Sequence, residues 1–303
     1  MLAHLISVDQ FTKTGISRLF KEADRLSDRH SIANLPYRTV GTNLFYEPST
    51  RTSSSFYSAM VQLGGSMIPI NDVAFSSVSK GETLEDTIRV MGCYCDVIVL
   101  RHPMIGSAKR AAEVSSVPII NAGDGAGEHP TQALLDLYTI RKHRGLDKPK
   151  VALVGDLKHG RTIHSLIKLL RMYQSEIHLV SPPELDLPGE LASDGDHVHR
   201  DLHDCISHVD VVYMTRLQKE RMEDPSIVQT SYRLTTEHMA RARKDLIVMH
   251  PLPRVDEIGM EIDQDPRAMY FDQVQNGIHV RKAIFSMILN GSGDVSPWSI
   301  QEA

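Results

Sequence analysis

Short apolar runs alternate along this chain with longer segments in which apolar residues recur at helical spacing. Within residues 56–63, apolar side chains stand at positions i, i+3, i+4 and i+7, and Gly64 follows them, which predicts a helix and its end. The short runs are often rich in β-branched residues and predict strands at residues 42–46, 66–70, 96–100, 118–121, 150–154, 176–180, 211–214, 246–249 and 268–271.

This alternation predicts the fold class, because strands that alternate with helices pair into parallel sheets covered by helices. The length of 303 residues suits about two domains of roughly 150 residues each. A helix from Pro130 to about residue 143 and the turn-forming stretch after it mark the divide, and a final helix is predicted at about residues 279–289. We therefore predict an α/β protein with two domains, each a parallel sheet flanked by helices.

Charge and composition exclude several classes of protein. Lys and Arg total 33 against 38 Asp and Glu, a formal net charge of −5, whereas a surface that binds nucleic acid needs a basic excess. Cys93, Cys95 and Cys205 form no disulfide framework, which favours a reducing compartment. No apolar run approaches the ~20 residues of a membrane helix, and the first residues lack the layout of a signal peptide. We expect a cytoplasmic protein that binds neither nucleic acid nor membrane.

The clearest candidate for chemistry is a polar segment at the end of the first predicted strand. The strand ends at Glu47-Pro48, and Ser49, Thr50, Arg51 and Thr52 follow at the start of a helix. Helix N–H groups, the positive end of the helix dipole, hydroxyls and a guanidinium would converge there, which predicts a phosphate site. The spacing of a Walker loop is absent. The alternative is a Ser/Thr-rich helix cap with a solvated arginine.

Further candidates follow in the first half. Lys80 stands in a polar loop before a capped helix, and Arg101 follows a strand directly, within Arg-His-Pro. His129 and Gln132 stand three apart at the start of a helix whose first residue is Pro130, so they face the same way. Taken singly, Lys80 has the alternative of a solvated surface lysine and His129 that of a structural histidine.

Together these motifs resemble the carbamoyltransferase family. Ser-Thr-Arg-Thr at 49–52, Arg-His-Pro at 101–103 and His-Pro-Thr-Gln at 129–132 match the family's carbamoyl-phosphate signature. The second half resembles the aspartate carbamoyltransferases in particular, through the motifs at residues 155–162, 214–221 and 250–257. The resemblance runs in order over most of the chain, from about residue 45 to about residue 290.

Two departures from bacterial members are visible. Ser79, rather than a second lysine, precedes Lys80, and the run Thr-Ser-Ser-Ser at residues 52–55 lacks a second arginine. Both are consistent with a eukaryotic branch. The chain is therefore either a free catalytic chain or the domain of a multifunctional pyrimidine-synthesis protein, and both alternatives stay open here.

The resemblance implies a reaction and an architecture. The carbamoyl group of carbamoyl phosphate passes to the amino group of L-aspartate, which gives N-carbamoyl-L-aspartate and phosphate, an early step of de novo pyrimidine biosynthesis, without a metal or another cofactor. A carbamoyl-phosphate domain at residues 1–130 is rejoined by the C-terminal helix at about 277–303, and an aspartate domain occupies residues 131–276. A homotrimer with shared active sites is also implied.

The resemblance assigns the site residues in three overlapping groups. The catalytic residues are expected to be Arg51, Thr52, Lys80, Arg101 and His129. Carbamoyl phosphate is expected to contact Ser49, Thr50, Arg51, Thr52, Ser76, Lys80, Arg101, His129, Gln132, Leu252 and Pro253. L-Aspartate is expected to contact Lys80, Arg161, Arg216, Gln218, Pro251, Leu252 and Pro253.

Two alternatives lie close to this interpretation. An ornithine carbamoyltransferase would share the first half, but it carries His-Cys-Leu-Pro where this chain has His-Pro-Leu-Pro at residues 250–253. Arg161 and Arg216 also suit the two carboxylates of aspartate. A non-catalytic assembly domain of the same fold is disfavoured, because every expected site residue is present.

A dehydrogenase or a zinc protein would differ in chemistry. A dinucleotide dehydrogenase would carry Gly-x-Gly-x-x-Gly after its first strand, whereas residues 155–160 read Gly-Asp-Leu-Lys-His-Gly. A zinc site would draw on His197, His199, His203, Cys205 and His208, which alternate on a predicted strand and a surface helix. No role in the family attaches to these residues, so we expect no metal ligands among them.

Overall fold

The computed structural model describes residues 2–28, 31, 35–36, 38–71, 81–218, 232–290 and 296–299. The chain divides into two compact units. The first comprises Met1–Leu135 and Asn276–Ala303, and the second, Asp136–Gln275, is inserted between these two segments. Among the helices of the described residues, none combines the length and the apolar character that crossing a bilayer requires.

Helices and strands alternate through these residues. The strands are β1 (Val40–Phe45), β2 (Ser66–Ile70), β3 (Val97–His102), β4 (Ile119–Asp124), β5 (Lys150–Val154), β6 (Glu176–Val180), β7 (His197–His199), β8 (Val211–Met214) and β9 (Ile247–Met249). The helices are α1 (Lys13–Ser27), α2 (Thr50–Gln62), α3 (Leu84–Gly92), α4 (Ser107–Val114), α5 (Pro130–Arg144), α6 (Arg161–Met172), α7 (Thr236–Arg241) and α8 (Tyr270–Leu289). Helix α5 begins in the first unit and continues into the second, and α8 takes the chain back into the first.

The first unit is built on a parallel sheet in the order β2-β1-β3-β4. Residues 97–100 of β3 are an unbroken apolar run and are all buried, as expected of a central strand that helices cover on both faces. The register aligns Phe45 of β1 with Arg101 of β3. The carboxyl ends of these two strands therefore lie side by side.

The only tryptophan of the chain packs into the core of the first unit. Trp298 is fully buried, and its ring centroid lies 5.1 Å from that of Phe11. Its indole Nε1 donates to the carbonyl of His4 at 2.9 Å, and its own carbonyl accepts from the N–H of Thr12 at 3.0 Å. A Cβ on Gly15 would lie 2.1 Å from the carbonyl oxygen of Trp298, so only glycine allows this approach.

The second unit is built on a parallel sheet in the order β7-β6-β5-β8-β9. The register aligns Val154, at the end of β5, with Met214, at the end of β8. The order of the strands reverses between β5 and β8. In open sheets of this kind the crevice outside the carboxyl ends at such a reversal is where ligands bind.

A buried hydrogen-bond network joins the two ends of the second unit. The hydroxyl of Tyr213 donates to one carboxylate oxygen of Asp136 at 2.7 Å, and the side-chain amide of Gln273 donates to the other at 2.6 Å. Burial and the adjacent carboxylate raise the pKa of Tyr213 well above its usual range, so the phenol keeps the proton that it donates. Asp136 begins the unit and Gln273 lies near its end.

The predicted fold class is confirmed, and so is the return of the C-terminal helix. Within the first unit, Phe285 of α8 packs edge-on against Phe56 of α2 with ring centroids 5.6 Å apart. Ser286 of α8 donates to the carboxylate of Glu22 of α1 at 2.6 Å.

The strand predicted at residues 268–271 is wrong. Ala268 forms only an isolated bridge with Val248, and α8 begins at Tyr270, nine residues before its predicted start at residue 279. A short apolar run fits a buried strand and the first turn of a buried helix equally well, because periodicity distinguishes them only over a longer stretch.

Candidate active site

The first turn of α2 forms a polar cradle at the carboxyl end of β1. Ser49 is the N-cap residue of α2, and its side chain makes no capping hydrogen bond. Thr50 and Arg51 are exposed, whereas Thr52 is buried. The N–H groups of a first helical turn have no partner within the helix, and the helix dipole adds positive potential there. The arrangement therefore suits an anion.

Arg101 brings a second guanidinium to this cradle. It lies at the carboxyl end of β3, and its Nη1 is 3.4 Å from the hydroxyl oxygen of Ser49. Its Nε donates to Glu47 at 3.2 Å, and its side chain is 15% exposed. Two neighbouring strands, β1 and β3, thus bring the predicted residues Ser49 and Arg101 together.

The residue after Arg101 has a structural role. His102 Nδ1 accepts from the N–H of Met104 at 3.1 Å, and its ring centroid lies 4.5 Å from that of Tyr46. Burial is the main cause that lowers the pKa of His102 below its ordinary value. A neutral ring suits this position, because an imidazole accepts a hydrogen bond only when one nitrogen is unprotonated.

His129 and Gln132 lie where β4 passes into α5. Asp124 stabilises the turn between β4 and α5. Its carboxylate accepts hydrogen bonds from the N–H of Gly106 at 3.1 Å and from the N–H of Glu128 at 2.8 Å. His129 is only 4% exposed, and its carbonyl accepts from the N–H of Gln132 at 3.0 Å. The predicted pair is therefore at the first turn of α5, on a rigid turn rather than a free loop.

Two predicted site residues, Ser76 and Lys80, lie outside the described residues. Their roles stay predictions.

The second unit places two arginines at the carboxyl ends of neighbouring strands. Arg161 is the first residue of α6, after the loop that follows β5, and is 6% exposed. Arg216 lies two residues beyond β8 and is partly buried. Gly155 begins the loop at φ 113°, and a Cβ there would lie 2.5 Å from the carbonyl oxygen of Thr215. The close approach of the two loops therefore requires glycine at this position.

Asp156 ties these two loops together. Its buried carboxylate accepts from the N–H of His159 at 2.9 Å and from the N–H of Gln218 at 3.1 Å. The side-chain amide of Gln218 in turn donates to the carbonyl of His159 at 3.1 Å, and the N–H of Asp156 donates to Thr215 Oγ1 at 3.1 Å. Gln218 was predicted, but Asp156 was not, although it stands inside a motif that the sequence singled out.

The segment after β9 is held by a buried pair. His250 Nε2 lies 2.7 Å from a carboxylate oxygen of Glu257, and His250 Nδ1 accepts from the N–H of Leu252 at 2.7 Å. Burial alone would raise the pKa of Glu257, but hydrogen bonds from His250 and from nearby backbone N–H groups outweigh it and lower the pKa. The pair fixes the backbone that carries Pro251 and Pro253, and the Leu252–Pro253 peptide bond is cis.

A cavity of about 220 Å³ opens beside the ends of β5 and β8. Its walls include Val154, Met214, Arg200, His203 and His238. Among the residues that the structure describes, none of the predicted substrate-binding residues lines it, so it is separate from the loops that carry Arg161 and Arg216.

Two protein-family models match the chain. Residues 3–142 match "Aspartate/ornithine carbamoyltransferase, carbamoyl-P binding domain", and residues 147–288 match "Aspartate/ornithine carbamoyltransferase, Asp/Orn binding domain". The two matches cover most of the chain and run in the order of the two units.

Curated relatives agree with these models. The aspartate carbamoyltransferase catalytic subunit of Archaeoglobus fulgidus is 49% identical over 299 residues, which cover 95% of this chain and 100% of that protein. The multifunctional protein pyr1-3 of Dictyostelium discoideum is 44% identical over 303 residues, which cover 96% of this chain but 14% of that protein. The chain is similar to archaeal and to eukaryotic relatives alike, so its assignment to a eukaryotic branch of the family stays a prediction.

A solved structure is also similar. Aspartate transcarbamoylase from Trypanosoma cruzi, crystallised in complex with carbamoyl phosphate and aspartate, superposes with a TM-score of 0.88 at 40% identity. The match covers 94% of this chain and 96% of that one.

Proposed function

The chain belongs to the aspartate/ornithine carbamoyltransferase family, and we propose on that premise that it transfers the carbamoyl group of carbamoyl phosphate to L-aspartate. The observation that carries the choice of aspartate is the 49% identity with an aspartate carbamoyltransferase catalytic subunit over its whole length. The chain also has His250-Pro251-Leu252-Pro253 where ornithine enzymes have His-Cys-Leu-Pro. The products are N-carbamoyl-L-aspartate and phosphate.

The first unit supplies the groups that act on carbamoyl phosphate. The cradle of Ser49, Thr50, Arg51 and Thr52 holds the phosphate, because its N–H groups, hydroxyls and guanidinium complement an anion. Gln132, in the first turn of α5, binds the carbamoyl amide. The site needs to supply positioning and charge stabilisation only, since carbamoyl phosphate already carries a good leaving group.

The transfer itself is an acyl substitution. The aspartate nitrogen forms a bond to the carbonyl carbon, the bond from that carbon to the phosphate oxygen breaks, and the departing phosphate accepts the proton that the amine loses. Arg101, His129 and Thr52 donate to the carbonyl oxygen, where negative charge develops in the tetrahedral intermediate. His129 acts here as a hydrogen-bond donor rather than as a base.

The second unit supplies the groups that bind aspartate. Arg161 and Arg216 can each hold a carboxylate through two parallel hydrogen bonds, which lysine does not offer. Gln218 lies beside them on the loop that Asp156 fixes. Lys80 completes the set, and the segment 251–253 shapes the pocket.

The test is a direct assay of the purified chain with carbamoyl phosphate and either L-aspartate or L-ornithine. We expect N-carbamoyl-L-aspartate and phosphate in equal amounts with aspartate, and no citrulline with ornithine. Citrulline as the main product would refute the choice of substrate, and no transfer to either amine by a folded protein would refute the activity.

We also propose that Asp156 is a positioning residue for aspartate. Asp156→Ala removes the acceptor shared by the two loops, so KM for aspartate should rise by roughly tenfold or more, while KM for carbamoyl phosphate changes little. Steady-state kinetics with each substrate varied in turn measures the difference. Asp156→Asn keeps one carboxamide oxygen as an acceptor and should recover part of the loss. Equal changes in both KM values would contradict the positioning role.

The assembly and the cellular setting are further proposals. We propose a homotrimer with shared active sites, in which Ser76 and Lys80 reach the site of the neighbouring subunit, as the resemblance implies. A role in pyrimidine biosynthesis is supported by the similarity to the pyr1-3 protein, and that similarity also supports linkage to other enzymes of the pathway as an alternative to a free chain. A cytoplasmic location is supported by the three free cysteines.

Mixing two inactive variants tests the shared site. Arg51→Ala and Lys80→Ala proteins are each expected to be inactive, but a mixed trimer has one interface at which an intact Arg51 meets an intact Lys80. Dissociation, equal mixing and reassembly should therefore restore activity in roughly a quarter of the sites, because a ring of three repeats one heterologous contact. The carbamoyl-aspartate assay measures the recovery. Inactive mixtures in which native mass spectrometry finds mixed trimers would refute the shared site.

A further inference from the structure

Two histidines and a cysteine converge at the β6–β7 edge of the second sheet. His178 lies on β6, His199 on β7, and Cys205 just after a short 3-10 helix, Leu202–Asp204. His178 Nδ1 lies 2.9 Å from His199 Nε2, and these two atoms and Cys205 Sγ all lie within 4.8 Å of one another. His178 is 2% exposed and Cys205 is fully buried. Three groups that bind metals thus face one point inside the unit.

A carboxylate orients the central histidine. His178 Nε2 lies 3.1 Å from Oε1 of Glu176, whose other oxygen binds Lys150 Nζ at 2.9 Å. A histidine that gives one N–H to a carboxylate presents the lone pair of its other nitrogen, which is the usual arrangement behind a metal-binding histidine. In His178 that other nitrogen is Nδ1, the atom that faces His199 and Cys205.

The distance between the two histidine nitrogens is close to the distance found when both bind one zinc ion. Two nitrogens bound tetrahedrally to one Zn²⁺ at ~2.05 Å lie ~3.4 Å apart. The present 2.9 Å between His178 Nδ1 and His199 Nε2 is a hydrogen-bond distance, so the rings need to separate by only about 0.5 Å to admit an ion. The Sγ of Cys205 currently lies 3.7 Å from the carbonyl oxygen of Leu202, a weak contact that a metal bond would replace.

We propose that His178, His199 and Cys205 form a Zn²⁺ site, with water in the fourth position. Two imidazoles and a thiolate are a donor set for a borderline or soft transition metal and not for Mg²⁺ or Ca²⁺, which prefer oxygen. The expectation of no metal ligands here rested on the histidines and the cysteine of residues 197–208, without His178. His178 is the residue that joins His199 and Cys205 into one site.

The ion would link a short edge strand to the rest of the sheet. Strand β7 has only three residues and pairs with β6 alone among the strands of the described residues, and Val198 at its centre is 56% exposed. An ion bound by His199, His178 and Cys205 would link this edge strand to β6 and to the 3-10 helix that precedes Cys205. Because an ion that binds only the folded state stabilises it, Zn²⁺ should raise the melting temperature. The Cys205 thiol has to lose its proton when it binds the ion.

The test uses the full chain, freed of metal by a chelator and dialysed. Calorimetric titration with Zn²⁺ should give one ion per chain, and Mg²⁺ should give none. His199→Gln and Cys205→Ser should each weaken binding by a factor on the order of 10² or more, and Glu176→Gln by roughly tenfold or more. Cys93→Ser, which changes an exposed cysteine of the first unit, is the matched control and should bind as the parent chain does.

Cobalt makes the assignment independent of whether each variant folds. Co²⁺ bound by the parent chain should show a thiolate-to-metal charge-transfer absorption, which requires cysteine as a ligand. A Co²⁺ complex without that absorption would overturn the proposal. So would Zn²⁺ binding that survives His199→Gln and Cys205→Ser but is lost in His197→Gln, or in His238→Gln beside Asp201 and His203, the remaining groups of this unit with metal-binding spacing among its described residues. The absence of binding at millimolar Zn²⁺ would overturn it as well.

Discussion

Arg51→Ala is expected to lower kcat/KM for carbamoyl phosphate by a factor on the order of 10² or more, with little change in thermal stability. Arg51 stands on the first turn of α2, beside the N-cap Ser49, and is exposed rather than part of the core. In the proposed mechanism its guanidinium is a charged member of the cradle that holds the phosphate as the carbon–oxygen bond breaks. Removing a preorganised charge therefore affects the transition state while the fold remains.

An arginine outside the cradle serves as the control. Arg89 on α3 is 58% exposed and pairs with Asp86 at 2.9 Å, a surface contact of little energetic weight. Arg89→Ala should leave kcat/KM and the melting temperature nearly unchanged. Near-normal turnover in Arg51→Ala would contradict the proposal that this cradle binds the phosphate.

Arg216→Ala is expected to lower kcat/KM for L-aspartate by a factor on the order of 10² or more, while carbamoyl phosphate still binds. Arg216 lies on the second unit, beyond the end of β8, and is partly buried. In the proposed site, its loss would leave one aspartate carboxylate without its bidentate partner. Calorimetric titration of carbamoyl phosphate alone should therefore look nearly the same for the variant and the parent chain.

Arg241 on α7 is the matched control for this second substitution. It is 57% exposed and pairs with Glu237 at 3.3 Å. Arg241→Ala should change neither titration nor turnover. If Arg216→Ala abolished binding of carbamoyl phosphate as well, the division of the two substrates between the two units would be wrong.

The fold was predictable because several central strands, such as β3, β5 and β8, are largely short apolar runs. Eight of the nine predicted strands match β1–β6, β8 and β9 to within a few residues. A strand that is covered on both faces can be predicted from its apolar composition alone. The error at residues 268–271 has the same origin, since Tyr270 and Phe271 look like a strand until the helical spacing of the next two turns is counted.

The candidate site was predictable where motif and element coincide. Ser49, Arg101 and Arg161 stand at strand ends and helix starts, positions that the sequence pattern locates. Asp156 could not be found in this way. Its role depends on Gln218, which is 62 residues away along the chain and becomes a neighbour only because β5 and β8 pair.

The insertion of the second unit into the first fixes the order in which a ribosome completes them. Every residue of the second unit, including Asp136 and Gln273 at its two ends, is translated before the end of α8 and Trp298. The second unit can therefore close its own network while the first still lacks the tryptophan that contacts Phe11. The first unit, whose N-terminal segment is translated first, is therefore the last of the two to be complete. A nascent chain exposes the unfinished apolar surface around Phe11 throughout the synthesis of the intervening residues.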